Sequence, residues 1–162
     1  MATFSVASFA GNASGNNRGQ SFTPNVAGPD GSGSPGSAST VYLQTVSIGY
    51  PTSDTTNRQT VIYVYDTLPT LVDLNNNGSG SIYKSISYAD DTGTFGANTY
   101  SRIFSFANYS IDPTKTYYLL FAANQVLRFK TGNPYSGGSL YSTLLAAVAN
   151  DAQFKVVMAD TI

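Results

Sequence analysis

From residue 41 onward, short apolar runs alternate with clusters of turn-forming residues, and this spacing restricts the chain to an all-β fold. About nine or ten such runs fit two packed layers, so we predict a two-sheet antiparallel β-sandwich of jelly-roll type. We expect strands near 3–9, 20–23, 41–49, 60–66, 81–88, 100–109, 116–123, 125–130, 139–142 and 152–159.

Side-chain pattern indicates which parts of these strands are buried. Residues 61–65 are β-branched or aromatic, which favours an interior strand. Alternation along residues 153–158 puts Phe154, Val156 and Met158 on a buried face. We expect Phe104 and Phe106 in the core for the same reason. Ser142 to Val148 has a helical composition and predicts one short helix.

The chain length of 162 residues fits one domain, but its composition is uneven. Residues 1–40 are rich in Gly, Ser and Asn, and we interpret them as an N-terminal arm that carries the first short strands. We expect this arm to pack on the body or on a neighbouring subunit. Residues 41–162 then form the sandwich body.

The chain contains no His and no Cys, and its nine acidic residues are all Asp. Ser–His and Cys–His catalysis cannot be assembled from this inventory, and zinc and haem lose their usual ligands. The net charge of −1 and the absence of a basic stripe argue against nucleic acid as a partner. We therefore expect a protein that is not an enzyme; a hydrolase based on an Asp pair is the one catalytic class left open.

We expect neither a membrane helix nor a signal peptide in this sequence. No apolar run approaches the roughly 20 residues that a membrane helix needs. The N-terminus has neither a basic region nor an unbroken apolar region, so we expect no signal peptide. Either Met1 replaces a removed leader, or the protein leaves its cell without classical secretion, as phage structural proteins do by lysis.

Six short motifs succeed one another in an order that resembles a known group of domains. They are Gln20–Thr23, Leu43–Ile48, Val61–Asp66, Ile111–Leu119, Asn133–Tyr141 and Asp151–Val156. Their order is similar to that in the choice-of-anchor domains and related carbohydrate-binding-like jelly rolls of bacterial surface and phage proteins. The resemblance implies a jelly roll used for attachment, without one agreed activity. Those domains often carry a Trp before the closing strand. In this chain the corresponding stretch, residues 144–149, contains no Trp.

Two groups of residues are candidate ligand sites. Asn133, Tyr135, Tyr141 and Asp151 have the residue types of a sugar cleft, in which aromatic rings stack on the sugar and polar groups bind its hydroxyls. The alternative for them is a Gly-Gly turn held by Asn and by buried Tyr hydroxyls.

The second group matches the first half of a calcium loop, with Asp73, Asn75 and Asn77 at alternate positions. Its twelfth position is Lys84, where a bidentate Glu is expected, so the alternative is a turn in which Asn and Gly adopt positive φ. We expect no other cofactor.

Two further patterns concern Tyr and Asp. Tyrosines recur on several expected strands and predict either an exposed recognition face or core rings: Tyr42, Tyr50, Tyr63, Tyr65, Tyr83 and Tyr88. Asp90 and Asp91 are adjacent, but neighbouring strand residues point to opposite faces, so we expect a turn rather than a catalytic pair.

Together these features predict a non-catalytic structural or binding protein on a virion surface, such as a phage capsid decoration (cement) protein or a fibre domain. The alternative is a secreted carbohydrate-binding module of a bacterial cell surface. Both predict a virion-surface or extracellular location, protein partners on a particle or cell surface, and no membrane insertion. A glycan ligand and a homo-oligomer are left open as further partners.

Overall fold

The structure is a computed structural model that describes residues 2–8, 11–36, 38–51, 59–87, 91–92 and 100–161. Tyr88 and Asp90 lie outside these residues, as does the side chain of Asp91. The elements in chain order are β1 (Thr3–Ala7), β2 (Ala13–Phe22), β3 (Val41–Tyr50), β4 (Thr60–Tyr65), α1 (Leu71–Asn75), β5 (Tyr83–Ser87), β6 (Asp91–Thr92), β7 (Tyr100–Ile111), β8 (Tyr117–Thr131), β9 (Leu140–Ser142), β10 (Ala147–Val148), β11 (Asn150–Ala152) and β12 (Phe154–Ala159).

The strands form two antiparallel sheets. The first has the order β1-β12-β3-β7-β6, and the second has the order β10-β9-β2-β8-β4-β5, with β11 paired to β8. The prediction of an all-β chain with two antiparallel sheets is therefore confirmed, and the arrangement is consistent with a β-sandwich. The described residues include no helix that is long and apolar enough to cross a membrane.

The main core takes its side chains from both sheets. On β12, Phe154, Val156 and Met158 are fully buried, as their alternation predicts. Phe104 and Phe106 on β7 are also buried and belong to the same cluster. The run at residues 61–65 lies in β4, which pairs with β5 on one side and with β8 on the other, so its predicted interior position is confirmed.

The N-terminal residues contribute strands to both sheets. β1 pairs with β12 in the first sheet, and β2 lies between β8 and β9 in the second. The expected strand at 20–23 is thus the end of a strand that begins at Ala13. Because β8 supplies hydrogen-bonding partners along almost all of β2, tertiary pairing outweighs the weak strand propensity of Gly and Asn.

The predicted helix at Ser142 to Val148 is wrong. These residues end β9, turn, and return as β10. Leu145 has a φ of 57°, outside the right-handed helical region, and its side chain is buried. The Ser142 N–H donates to the Ala146 carbonyl at 2.9 Å, and this bond closes the turn in place of helical bonds.

Two strand boundaries also differ from expectation. The strands expected at 116–123 and 125–130 are one strand, β8. Its register with β2 shifts between Asn17 and Gly19, where residues 121–124 of β8 lie opposite Arg18 alone. The strand expected at 152–159 is divided between β11 in the second sheet and β12 in the first.

Candidate functional site

Asp151 and Tyr135 are brought together, but in the interior of the protein. The Asp151 carboxylate accepts bonds from the Tyr135 N–H at 2.7 Å and from Gln20 Nε2 at 2.9 Å. Gln20 Oε1 in turn accepts from the Ala152 N–H at 2.8 Å. Burial raises the pKa of the Asp151 carboxyl, while these two hydrogen bonds act in the opposite direction.

The Tyr135 ring lies in the main core, edge-on to Phe154 with their centroids 5.6 Å apart. Its hydroxyl donates to the Thr23 carbonyl and accepts from the Thr23 N–H, both at 3.0 Å. Burial raises the pKa of Tyr135 to about 12. With 1% of its surface exposed, the ring offers no face on which a sugar can stack in this conformation.

Asn133 and Tyr141 lie apart from this pair. Asn133 is exposed in the loop after β8 with a φ of 53°. Tyr141 follows Leu140 on β9, and because Leu140 belongs to the main core, Tyr141 points to the opposite face of the second sheet. The four residues of the expected sugar cleft therefore do not converge, and a ligand role for them stays a prediction.

The three residues of the calcium motif lie on and just after α1. Asp73 and Asn75 belong to the helix, and Asn77 and Gly78 follow it with φ values of 51° and 68°. The Asn75 side-chain oxygen accepts a bond from Arg18 Nη1 at 2.9 Å. The described residues contain no group of three or more His, Cys, Asp or Glu that could hold a metal ion. Calcium binding stays a prediction.

A second apolar cluster covers the outer face of the second sheet. Alternation along β4 and β8 directs its members away from the main core. We call it the outer cluster: Tyr63, Tyr65, Leu74, Leu120, Tyr141 and Leu145, with Val61, Leu71, Tyr118 and Ala122 packed against it. Rings meet within it, since Tyr118 lies edge-on to Tyr141 at 5.6 Å. Helix α1 and the turn after β9 form its cover through Leu74 and Leu145.

The two segments that cover the outer cluster, α1 and the turn after β9, each carry a large apolar side chain that is exposed to solvent. Val72 on α1 is 78% exposed and Leu144 in the turn after β9 is 75% exposed, the highest values among the large apolar residues described. Each lies beside a residue that packs on the cluster, Leu71 or Leu145. Both therefore belong to the segments that cover the outer cluster. Contact sites are built on contiguous exposed apolar surface, and these segments carry the two most exposed large apolar side chains described.

Arg18 connects α1 to the second sheet through hydrogen bonds. It lies on β2 where the register with β8 shifts, is 9% exposed, and donates from Nη1 to Asn75 Oδ1 and to the Ala122 carbonyl. The helix that carries Val72 is thereby held to both β2 and β8, so the outer face presents a fixed shape.

An open groove lies where β5 meets β7. The Tyr83 and Tyr109 rings are stacked there, with centroids 4.4 Å apart and planes inclined by 18°. The groove has a volume of about 380 Å³ and is lined by Asn77, Ser81, Ile82, Tyr83, Lys84 and Tyr109. Of the expected tyrosine face, Tyr83 thus lies in this groove, and Tyr63 and Tyr65 belong to the outer cluster.

Comparison of the chain with protein-family models, curated proteins and solved structures finds no match.

Several residues of these surfaces were not among the expected site residues. Val72 and Leu144 are unremarkable in sequence, because a lone exposed Val or Leu has no motif. The Tyr109 ring stacks on the Tyr83 ring because β7 and β5, which belong to different sheets, approach each other there. The sequence signals that touch these surfaces are the recurrence of Tyr on the expected strands and the calcium-loop motif, whose Asn77 and Lys84 line the groove.

Proposed function

We propose that this chain is a non-catalytic attachment protein of a virion surface, which binds a protein partner through the outer face of its second sheet. The exposed pair Val72 and Leu144 carries this proposal. Burying both side chains against a partner would contribute roughly 1.5–3 kcal/mol each. Because Arg18 and the outer cluster hold α1 in place, little conformational entropy is lost on binding.

The finer fold in this proposal is a jelly roll. The chain passes between the two sheets repeatedly, at β1 to β2, β2 to β3, β3 to β4, β5 to β6, β7 to β8 and β11 to β12. Such exchange between sheets supports a jelly roll over a simple up-and-down sandwich. The resemblance to choice-of-anchor domains agrees with the same proposal and with a role in attachment.

Virions of the source virus provide the test. Antibody raised against this chain and coupled to gold should label intact particles, as seen by electron microscopy. Val72→Asp and Leu144→Asp should then lower the occupancy of added protein on particles stripped of it, because each places an unpaired carboxylate in the apolar contact. Val157→Asp is the matched control, since Val157 is a partly exposed Val on β12 of the first sheet and lies outside the outer cluster.

Unlabelled particles, or equal loss of occupancy in all three variants, would overturn the proposal. Circular dichroism and thermal unfolding of each variant separate lost contact from lost folding.

A secreted carbohydrate-binding module of a bacterial cell surface is the second candidate. The observation that favours it is the stacked Tyr83–Tyr109 pair in an open groove. Binding of the purified chain to bacterial cell walls, together with an absence of label on virions, would favour the module.

A further inference from the structure

The groove between β5 and β7 has a rigid aromatic wall. The Tyr83 hydroxyl donates to the Ser110 carbonyl at 2.8 Å, which fixes the Tyr83 ring against β7. Tyr109 is held from another side by Phe106, edge-on at 6.1 Å. Ser85 Oγ donates to the Ser105 carbonyl at 2.6 Å and ties the two strands together. The wall is therefore formed before any ligand arrives.

This wall remains accessible to a ligand. Tyr109 is 36% exposed although it stacks on Tyr83, so part of its ring is open to solvent. Ile82, 38% exposed, extends the apolar surface of the groove. A flat apolar surface of this kind matches the C–H face of a pyranose ring. The groove volume of about 380 Å³ lies within the roughly 300–1,000 Å³ of small-molecule sites.

Polar groups at the rim complete the site. The exposed Asn77 amide has both donors and an acceptor, and Ser81 adds a hydroxyl, so both suit the hydroxyls of a sugar. Among the described residues that line the groove, Lys84 carries the charge, and it is exposed. A cation at the groove favours a sugar that bears a carboxylate over a neutral one.

We propose that this groove binds an acidic sugar, a sialic or uronic acid residue of a glycan, with Tyr109 as the stacking surface and Lys84 as the partner of the carboxylate. The inference rests on the non-catalytic binding role proposed above, but it uses a different surface from Val72 and Leu144. The site holds in either setting, on a virion or on a cell.

An array of sialylated, uronic-acid-containing and neutral oligosaccharides, followed by calorimetric titration of the strongest glycan, tests this inference. We expect the purified chain to retain acidic glycans over their neutral counterparts. Tyr109→Ala should weaken binding about tenfold or more, because the stacking surface is lost. Tyr109→Phe should bind almost as the parent does, since the ring remains. Lys84→Gln should weaken binding of acidic glycans about tenfold and leave neutral ones unchanged.

Two matched variants serve as controls. Lys155→Gln removes a partly exposed Lys from β12, and Tyr42→Ala removes a partly exposed Tyr from β3; neither residue lines the groove. The site would be overturned if the chain retained no acidic glycan. It would also be overturned if Tyr42→Ala and Tyr109→Ala weakened glycan binding equally while thermal stability stayed unchanged. Particle occupancy of Tyr109→Ala should equal that of the parent, which distinguishes failure of the groove from failure of the attachment role.

Discussion

The side-chain amide of Gln20 donates to the carboxylate of Asp151 across 2.9 Å, and both residues are completely buried although 131 positions separate them in the sequence. The contact joins β2 to β11 and, through the Tyr135 N–H, to the loop after β8. A carboxylate in this position is costly because burial disfavours its charged form. Its role is to hold three separate segments of the chain in one arrangement.

Asp151 should make the free energy of unfolding depend on pH in mild acid. Since burial raises the pKa of this carboxyl in the folded state, its contribution is greatest below the ordinary value of 3.8 and is lost as pH rises from there through the raised pKa of the folded protein. Asp112 and Asp160 act in the opposite direction, because hydrogen bonds lower the pKa of each. Urea denaturation of the parent and of Asp151→Asn between about pH 3 and 6 isolates Asp151.

The parent should lose stability relative to Asp151→Asn as pH rises across that range, because the variant keeps Asp112 and Asp160 and lacks only the buried titrating group. A difference between the two proteins that stays constant or grows with pH would contradict this account.

Tyr135 should make the protein sensitive to alkali. Its pKa is raised to about 12 from 10.0, so between these two values the unfolded chain ionises first and the free energy of unfolding falls. The shift corresponds to roughly 2–3 kcal/mol lost between pH 10 and 12. Tyr135→Phe lacks this titration but also lacks the bonds to Thr23, so it should start roughly 1–2 kcal/mol less stable at pH 8.

In chemical denaturation, the stability curves of the parent and of Tyr135→Phe should therefore converge above pH 10 and meet or cross by pH 12. Tyr65, whose pKa is also raised to about 12, is present in both proteins and cancels from the comparison. Parallel curves would show that Tyr135 ionises as readily in the folded protein as in the unfolded one.

The all-β class followed from the sequence because alternation and turn residues are local signals. Phe154, Val156 and Met158 reveal their buried face without knowledge of any partner strand. β2 is different, since residues 13–19 are mostly Gly, Ser and Asn and form a strand only because β8 lies beside them. In the turn after β9, residues with a helical composition form no helix, because Leu145 packs into the outer cluster.

The candidate surfaces were harder to predict than the fold. Of the four residues expected in a sugar cleft, Tyr135 and Asp151 lie together, but their burial, which decides what they can bind, depends on both sheets. The groove depends on the approach of β5 to β7, which belong to different sheets and are not paired with each other. Such contacts arise from topology rather than from local sequence.

Deletion of residues 1–19 should abolish folding rather than release a free arm. It removes all of β1 and most of β2, so β12 and β8 each lose one partner strand and expose an unpaired edge. Circular dichroism and size-exclusion chromatography should show an unfolded or aggregated chain, whereas deletion of residues 161–162, which follow β12, should leave the fold intact. A folded, monomeric 20–162 protein would contradict the integral role of β2.

Gly78 should tolerate no side chain, because the ring of Tyr63 occupies the place of its Cβ. A Cβ built there would lie 2.1 Å from Tyr63 Cδ1, and the φ of 68° adds strain for any other residue. Gly80 is the matched control, since its φ is 81° but the nearest atom to its Cβ, Tyr65 Cε1, is 4.0 Å away. Gly80→Ala should cost only the backbone strain, about 1–2 kcal/mol. Gly78→Ala should cost about 1–3 kcal/mol more, since Tyr63 must leave its position in the outer cluster. Urea denaturation of the two variants measures this difference in the free energy of unfolding. Equal losses of stability would show that Tyr63 moves aside freely and that the outer cluster is not tightly packed at this point.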